Sequence, residues 1–285
     1  MERAVFPPET HAAFAALYPH TPGKLAHRLL GHPLLTLEAL ADLAASLPAD
    51  SIEYNPGDVP IGIAPENVPA PKLGVVETIR NIAQSASWVA LKRVEQHSDY
   101  AALLAAVLGE LKHIVEPRTG AMLQLEGFIF ISSGGSVTPF HFDPEHNILL
   151  QAAGSKIMTV FPVEDEELFA APVHEQFHLG EHHRNLPWRD AFAAKGVPIA
   201  IGPGEAIHVP VKAPHWVRNG PEPSVSLSLT WRSEWSYAEA DARAFNRLLR
   251  GLGVEPASPG AFPAQNRAKA YAYRAVRRLG LRRGG

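Results

Sequence analysis

Hydrophobic residues follow two different periods along this chain. In residues 36–44 leucines recur at three-residue steps, which indicates one face of a helix, and Thr36 is a suitable N-cap for it. From Leu123 to Trp231 short apolar runs alternate with polar residues between glycines and prolines, a pattern typical of β-strands. Helical spacing returns in residues 238–249.

A strand-rich region between two helical regions predicts a mixed α and β protein. Its core is expected to be a double-sheet jelly roll with helical extensions at both ends. The proline-rich stretch 56–71 is expected to be an irregular ordered loop or a linker, and it could form part of a substrate groove. The expected parts are a mainly helical portion packed on the barrel (1–120, with a strand near 87–93), the core (121–233, with an insertion at 164–196), and a C-terminal helical region with a basic tail (234–285).

Composition narrows the class of protein. The chain has 285 residues, enough to bury a full core, and no cysteine, which excludes disulfides and thiol chemistry and fits a reducing compartment. An acid and two prolines stand in the first eight residues, where a signal peptide would need an apolar run, and no stretch is long enough to span a membrane. A cytoplasmic protein is therefore expected. The net charge of -3 argues against nucleic-acid binding by the whole molecule.

The charge is uneven, because residues 256–285 carry seven basic residues and no acidic one. Tyr271, Val276 and Leu279 recur near helical spacing, which predicts a helix with one docked face and solvated arginines. Two interpretations stay open: a docked terminal helix, and a surface for an acidic partner or nucleic acid.

The most specific chemical feature is the His-x-Asp pair of His141 and Asp143. Alternate residues of an extended strand project to the same face, so the imidazole and the carboxylate point at one place. His215, on a separate predicted strand, would supply a third ligand. Two imidazoles and one carboxylate are the ligand set of a non-haem Fe(II) oxygenase, with the opposite positions open for a co-substrate and dioxygen. The plain alternative is an edge-strand histidine beside a turn aspartate.

Other residues at suitable places support the metal hypothesis. Lys156 follows a Gly-Ser turn signal between two apolar runs, so a hairpin would bring it back beside His141. A lysine inside a barrel requires an anionic partner. Thr138, three residues before His141, could add a hydroxyl to the same anion, and residues 202–210 predict a tight turn and a short strand before the third ligand.

With these features combined, the chain resembles the JmjC hydroxylases among the cupin-like Fe(II)/2-oxoglutarate oxygenases, and most closely the asparaginyl-hydroxylase type. That family shows Thr-x-x-His-x-Asp, then an asparagine, a Gly-x-Lys turn, and a Gly-Asp/Glu…Pro…His segment. The resemblance covers residues 121–233. Its matching positions are Thr138, His141, Asp143, Asn147, Lys156, Gly204, Glu205, Pro210 and His215.

The resemblance implies that His141, Asp143 and His215 bind Fe(II), while Thr138 and Lys156 hold the distal carboxylate of 2-oxoglutarate. The implied activity is a dioxygenase that hydroxylates a protein side chain or a small molecule and releases succinate and CO2. Aspartate at the second ligand resembles the hydroxylases more than the histone demethylases. Terminal helices form dimer interfaces in resembling hydroxylases, so a homodimer through the C-terminal helices is a further expectation.

Asn147 matches the family pattern, whereas the last barrel strand differs from it. Asn147 is expected to contact the co-substrate or a metal ligand. Where the family often has an asparagine on the last barrel strand, this chain offers Ser226, Ser228 or Thr230, of which we take Ser228 as the co-substrate contact. No residue corresponds to the family tyrosine that shares the distal carboxylate.

Two further histidines, His146 and His208, neighbour the motif in sequence. Each could be a second donor near the metal or an alternative ligand. The other interpretation, which we favour, makes both of them polar residues at the barrel mouth.

A rival metal motif lies at His174 to His178, which matches the H-E-x-x-H signature of zinc proteases. Pro172 and Gly180 confine any helix there to about two turns, and Arg184 stands where the extended form of the motif needs a third histidine. A histidine-rich surface loop explains the cluster equally well. The alternatives to an oxygenase are thus a non-catalytic metal-binding cupin that regulates through DNA or an acidic partner and, less favoured, a zinc metalloprotease.

Overall fold

A computed structural model describes residues 4–56, 61 and 73–280 of the chain. Most of the predicted proline-rich loop 56–71 lies outside the described residues, as do Arg282 and Arg283 of the basic tail. The α-helices of the described part are α1 (Pro8–Leu17), α2 (Leu37–Ser46), α3 (Val75–Arg80), α4 (Ser98–Thr119), α5 (Ala171–Phe177), α6 (Glu234–Gly251) and α7 (Arg267–Arg278). Its strands are β1 (Gly23–Ala26), β2 (Ile52–Pro56), β3 (Ser87–Lys92), β4 (Met122–Ser132), β5 (Val137–His141), β6 (His146–Ala153), β7 (Lys156–Val160), β8 (Val197–Ile201), β9 (Glu205–Val209), β10 (His215–Asn219) and β11 (Ser224–Ser233).

These strands form two antiparallel sheets. The larger sheet has seven strands in the order β1-β9-β6-β11-β4-β3-β2, and the smaller has four in the order β5-β10-β7-β8. Apolar side chains from both sheets, including Leu149 and Ile207 of the larger and Met158 and Val217 of the smaller, form one buried cluster between them. The predicted fold class is therefore confirmed: a double-stranded β-helix core with helices at both termini.

The central strands β6 and β11 of the larger sheet are buried on both faces along nearly their whole length, and alternation divides their residues between two environments. Val225, Leu227 and Leu229 of β11 belong to the large apolar cluster that includes residues of α2 and α4. The residues between them, such as Ser226 and Ser228, face the smaller sheet and hydrogen-bond to side chains of β6. The helices thus stabilise one face of the sheet, and the other face is left to line the barrel with polar groups.

The predicted helix at 36–44 is present as α2, and its cap is the expected one. The Thr36 hydroxyl accepts a hydrogen bond from the Ala39 amide at 3.3 Å. α6 begins four residues before the predicted start at residue 238, because Ser233 and Ser236 form a reciprocal capping box at its N-terminus. The hydrophobic period alone does not reveal that extra turn.

The basic C-terminal segment forms the predicted helix, α7, which packs against α6. Ala270 and Tyr273 are buried, and the Arg274 Nε donates to Asp241 at 2.6 Å. Arg277 and Arg278 remain exposed. None of the helices in the described ranges has the length and apolar character needed to cross a membrane.

The turn before Lys156 gives a test of how tightly the two sheets are joined. Gly154 has φ +63°, and a Cβ there would lie 2.2 Å from the Pro223 carbonyl oxygen. Gly154→Ala is therefore expected to lower the free energy of unfolding by about 2 kcal/mol or more. The control Gly109→Ala, in the exposed middle of α4 with no atom within 4 Å, should raise it by up to about 1 kcal/mol. Urea denaturation of both variants measures the contrast, and equal stabilities would contradict it.

Candidate metal centre

Three candidate ligands meet where β5 and β10 run side by side. His141 and His215 are direct cross-strand partners, and their ring centroids are 4.2 Å apart. Asp143 follows β5 by two residues and places its Oδ2 3.7 Å from the His215 Nε2. One ligand atom from each residue lies within 4.8 Å of the others, and no other group of three or more such residues does so in the described part of the chain. The structure thus brings the three predicted ligands together.

Both imidazoles are oriented by their own backbone. The His141 Nδ1 lies 2.7 Å from the Pro139 carbonyl oxygen, and the His215 Nδ1 lies 2.9 Å from that of Ala213. A carbonyl oxygen only accepts, so each Nδ1 carries the proton and each Nε2 keeps its lone pair. Burial, with a smaller effect from His215, lowers the pKa of His141 to about 4. The His141 ring is therefore neutral near pH 7, the state that binds a metal ion.

Asp143 is held by a residue that the sequence did not identify as functional. The Arg184 Nη1 donates to the Asp143 Oδ1 at 2.7 Å, which leaves Oδ2 on the side of the histidines. Burial alone would raise the pKa of Asp143, but Arg184 and the imidazoles hold it below its usual value. The carboxylate is thus ionised and has one oxygen available.

Arg184 reaches the site because residues 161–196, which join β7 to β8, return along the free edge of β5. The Phe142 amide donates to the Arg184 carbonyl at 3.2 Å, and the Leu186 amide donates to that of Phe140 at 2.9 Å. An isolated bridge between His141 and Asn185 completes this short pairing. No periodicity marks such a segment, so sequence reasoning had no signal for it.

The Thr-x-x-His spacing has a structural cause. β5 and β10 pair His141 with His215 and Thr138 with Val217, so β5 contains one extra residue between the two pairs. Such a β-bulge places residues three apart on the same face, whereas regular alternation would separate them. Thr138 therefore shares the inward face of His141, and its hydroxyl has no hydrogen-bond partner among the described residues.

Lys156 also faces the barrel interior. It is the cross-strand partner of Asn219 on β10, on the same side of β7 as the buried Met158 and Val160. Its side chain is 4% exposed and forms no ion pair or hydrogen bond within the described residues. Burial lowers its pKa to about 7. Beside it, the Asn219 Oδ1 is buried without a partner, so two polar groups at this end of the barrel lack a partner among the residues that the structure describes.

Asn147 and Ser228 form a pair on the opposite wall. The Ser228 hydroxyl donates to the Asn147 Oδ1 at 2.9 Å. This bond uses the amide oxygen of Asn147 and leaves its amide nitrogen available to another group. The other two candidates on β11 are engaged elsewhere, since Ser226 donates to Gln151 and Thr230 to the Glu126 carbonyl. Ser228 is thus the one of the three whose hydroxyl hydrogen-bonds to the Asn147 side chain.

His146 and His208 lie on the other face of the larger sheet, and our expectation for both was wrong. His146 hydrogen-bonds to Ser233 and stacks on Trp231 with a ring separation of 5.3 Å, and His208 packs against Phe14 and Tyr18. Strand alternation explains this. Asn147 faces the barrel, so its neighbour His146, and His208, which pairs with Ile148, face the other way. Neither histidine is at the barrel mouth or near the metal centre.

The H-E-x-x-H motif does not form a metal site in the described residues. His174 is buried against Phe142 and Phe169. The Glu175 carboxylate, which would act as a general base, instead pairs with the Arg250 Nε at 2.7 Å. His178 lies just past the end of α5, so the motif serves the packing of α5 against α6.

No protein-family model matches the chain. Jumonji C domain-containing protein 5 of Drosophila melanogaster is 29% identical over 109 residues, 36% of this chain and 26% of that protein. Lysine-specific demethylase JMJ30 of Arabidopsis thaliana is 32% identical over 107 residues, 35% of this chain and 24% of that protein. The chain thus spans about a quarter of the length of the curated relatives that it matches.

Solved structures of Escherichia coli YcfD share the fold over nearly the whole chain. One covers 99% of this chain and 69% of its own, with a TM-score of 0.56 and 17% identity. Another, described as a ribosomal oxygenase in complex with cobalt and 2-oxoglutarate, covers 95% and 66%, with a TM-score of 0.51 and 17% identity. The resemblance to Jumonji C proteins that the motifs predicted is therefore confirmed over about a third of the chain. The fold of the chain is that of the YcfD structures, a double-stranded β-helix.

Proposed function

We propose that the protein is an Fe(II)- and 2-oxoglutarate-dependent oxygenase that hydroxylates a protein side chain or a small molecule. The observation that carries the proposal is the convergence of two imidazoles and one carboxylate in a barrel that also contains a buried lysine with no partner among the described residues. The E. coli YcfD complex with cobalt and 2-oxoglutarate has the same fold, which adds support.

The donor set fits the metal. His141, His215 and Asp143 each offer one atom, and each imidazole Nδ1 faces a backbone carbonyl, which leaves its Nε2 for the metal. Three such ligands occupy one face of an octahedral ion and leave three positions for the co-substrate and dioxygen. Bound iron and 2-oxoglutarate would together supply the oxidising chemistry, in which dioxygen is consumed, the co-substrate is converted to succinate and CO2, and one oxygen atom enters a substrate C–H bond.

The remaining polar groups of the barrel fit an elongated dicarboxylate. Lys156 lies opposite Asn219, four residues along β10 from His215, or about 13 Å at the usual rise per residue. A co-substrate chelating the metal at one end would present its distal carboxylate to the Lys156 ammonium and the Thr138 hydroxyl. Charge pairing in the interior offsets the cost of burying both groups.

Asn147 and Ser228 would act near the metal end of the co-substrate. The Ser228 hydroxyl fixes the amide of Asn147 by its bond to Oδ1, so the Asn147 nitrogen would donate to the co-substrate. Ser228 would thus act through Asn147, in place of the asparagine that the family often has on this strand.

Several partner expectations remain part of the proposal. The kind of substrate and a homodimer through α6 and α7 are expectations that rest on the resemblance. A cytoplasmic location is an expectation that rests on the cysteine-free composition. The regulator hypothesis loses some of its basis because part of the basic tail is used within the molecule, as in the pair of Arg274 with Asp241. Turnover decides between an oxygenase and a non-catalytic cupin.

One prediction of the proposed function concerns the metal ligands. His141→Ala and Asp143→Ala should each abolish oxygen-dependent formation of succinate from 2-oxoglutarate, because two ligands hold Fe(II) poorly. The matched control is His183→Ala, which removes an exposed histidine outside the predicted ligand set and should leave succinate formation unchanged. Full activity in both ligand variants would sink the assignment, as would loss of activity in the control alone.

Another prediction of the proposed function concerns Lys156. Lys156→Met should weaken 2-oxoglutarate binding at least tenfold while metal affinity stays the same, because the distal carboxylate loses its partner. The same variant should be more stable than the wild type in the absence of co-substrate, by on the order of a few kcal/mol at pH 7, because a buried ammonium without a partner is costly. Calorimetric titration and urea denaturation measure the two effects. An unchanged co-substrate affinity would remove Lys156 from this role.

The pH dependence of that stability difference follows from the lowered pKa. Burial brings the pKa of Lys156 from 10.5 in the unfolded chain to about 7 in the folded one. The unfolded state therefore binds more protons between these values, so the penalty is full below pH 7 and declines as the pH rises toward 10.5. The advantage of Lys156→Met should shrink between pH 7 and pH 9 by at most about 1.4 kcal/mol per pH unit, and a constant advantage would contradict a titrating Lys156.

A further inference from the structure

The turn between β9 and β10 contacts two of the three candidate ligands. The Lys212 amide donates to the Asp143 carbonyl oxygen at 2.8 Å, and the Ala213 carbonyl accepts from the His215 Nδ1 at 2.9 Å. This turn, residues 210–214, therefore holds the backbone of one ligand and the ring of another. A shift of the turn would move both ligands relative to His141.

Lys212 adopts a conformation that side chains rarely take. Its φ is +68°, in the left-handed region, where a Cβ is unfavourable and glycine is preferred. Its amide points at Asp143 in that conformation. Backbone strain persists only where surrounding contacts impose it, and it concentrates at functional sites.

The contact that holds this residue is a buried group of charges. The Lys212 Nζ donates a hydrogen bond to the Glu239 Oε1 of α6, and the Arg243 Nε donates to the same oxygen at 2.9 Å. All three side chains are less than 5% exposed. Glu164, from the segment after β7, lies 3.6 Å from the same ammonium. The group therefore ties the turn to the C-terminal helical region.

Stability is a weak explanation for such a group. Removing an ammonium and a carboxylate from water is costly, and apolar residues of similar volume often serve stability as well or better. Here both the buried charge and the strained backbone fall on the residue whose amide contacts Asp143. The arrangement is better explained by what the turn positions.

We infer that Lys212 and Glu239 are positioning residues that lock the 210–214 turn against α6, so that Asp143 and His215 stay aligned for the metal ion. The inference rests on the proposed function, because it takes the triad as the metal site. It adds that the C-terminal helical region sets the geometry of that site from outside the barrel.

The test is a titration with Co(II), followed by its visible absorption, in the full chain. Lys212→Met should weaken Co(II) binding about tenfold or more, in the range typical of residues that orient metal ligands. At saturating Co(II) its absorption bands should differ from those of the wild type, since the ligands are displaced. Arg243 still compensates Glu239 in this variant, so the melting temperature should stay the same or rise.

Two further variants keep the test decisive. Lys212→Gly preserves the backbone conformation and the amide donor but removes the ammonium, so it should show the same loss if Lys212→Met fails to fold. Lys24→Met removes an exposed lysine of β1 that pairs with Glu205 of β9. This variant should bind Co(II) like the wild type.

The outcomes separate this inference from the proposed function. Wild-type binding and an unaltered spectrum in both Lys212 variants would overturn the role of Lys212 and leave the oxygenase proposal intact. A wild type that binds Co(II) no better than His141→Ala would overturn the proposed function itself. Weaker binding with an altered spectrum at an unchanged melting temperature would support the positioning role, because a purely stabilising contact would not change the spectrum.

Discussion

The direct pairing of His141 with His215 across β5 and β10 is the constraint on which the site depends. A register slip of one residue would turn one imidazole out of the barrel, because side chains alternate between faces. The β-bulge between the two pairs adds Thr138 to the same face. Backbone carbonyls then fix both rings with Nε2 directed at the site. The candidate metal centre thus depends on strand register as well as on the chemistry of its side chains.

The two faces of the larger sheet explain how such a polar interior is tolerated. Its outer face contributes Val225, Leu227 and Leu229 to the main apolar cluster with the helices, which stabilises the sheet. Its inner face can therefore carry serines, Asn147 and Gln151 bonded to one another. Lys156, on the smaller sheet, is the exception, since it has no partner in the described part of the chain. That exception is where a dicarboxylate would bind.

The sequence predicted the elements whose signals are local. The jelly-roll core, the helix after Thr36 and the three candidate ligands depend on alternation, capping and short spacings, and each is present in the structure. Arg184 and Lys212 could not be found in this way. Both act through contacts between segments distant in the chain, from an insertion and from a turn, where no periodicity marks the residue.

The wrong expectation for His146 and His208 has a physical reason, and so does the outcome for the H-E-x-x-H motif, the less favoured alternative. His146 and His208 are near the motif in sequence but on the opposite face of the sheet, where aromatic rings surround them. The H-E-x-x-H motif satisfies a helical spacing, yet Arg250 of α6 takes the carboxylate of Glu175. Spacing alone cannot reveal such a pairing, because it depends on how α5 packs against α6.

The central claim is that His141, Asp143 and His215 hold an iron ion that 2-oxoglutarate then chelates. The most direct measurement is an anaerobic titration of Fe(II)-loaded protein with 2-oxoglutarate, followed through the weak visible charge-transfer band that such chelation produces. The account predicts that the band appears and saturates in the wild type and is absent in His215→Ala. A protein that binds Fe(II) but develops no band at saturating 2-oxoglutarate, or a band that persists in His215→Ala, would contradict it.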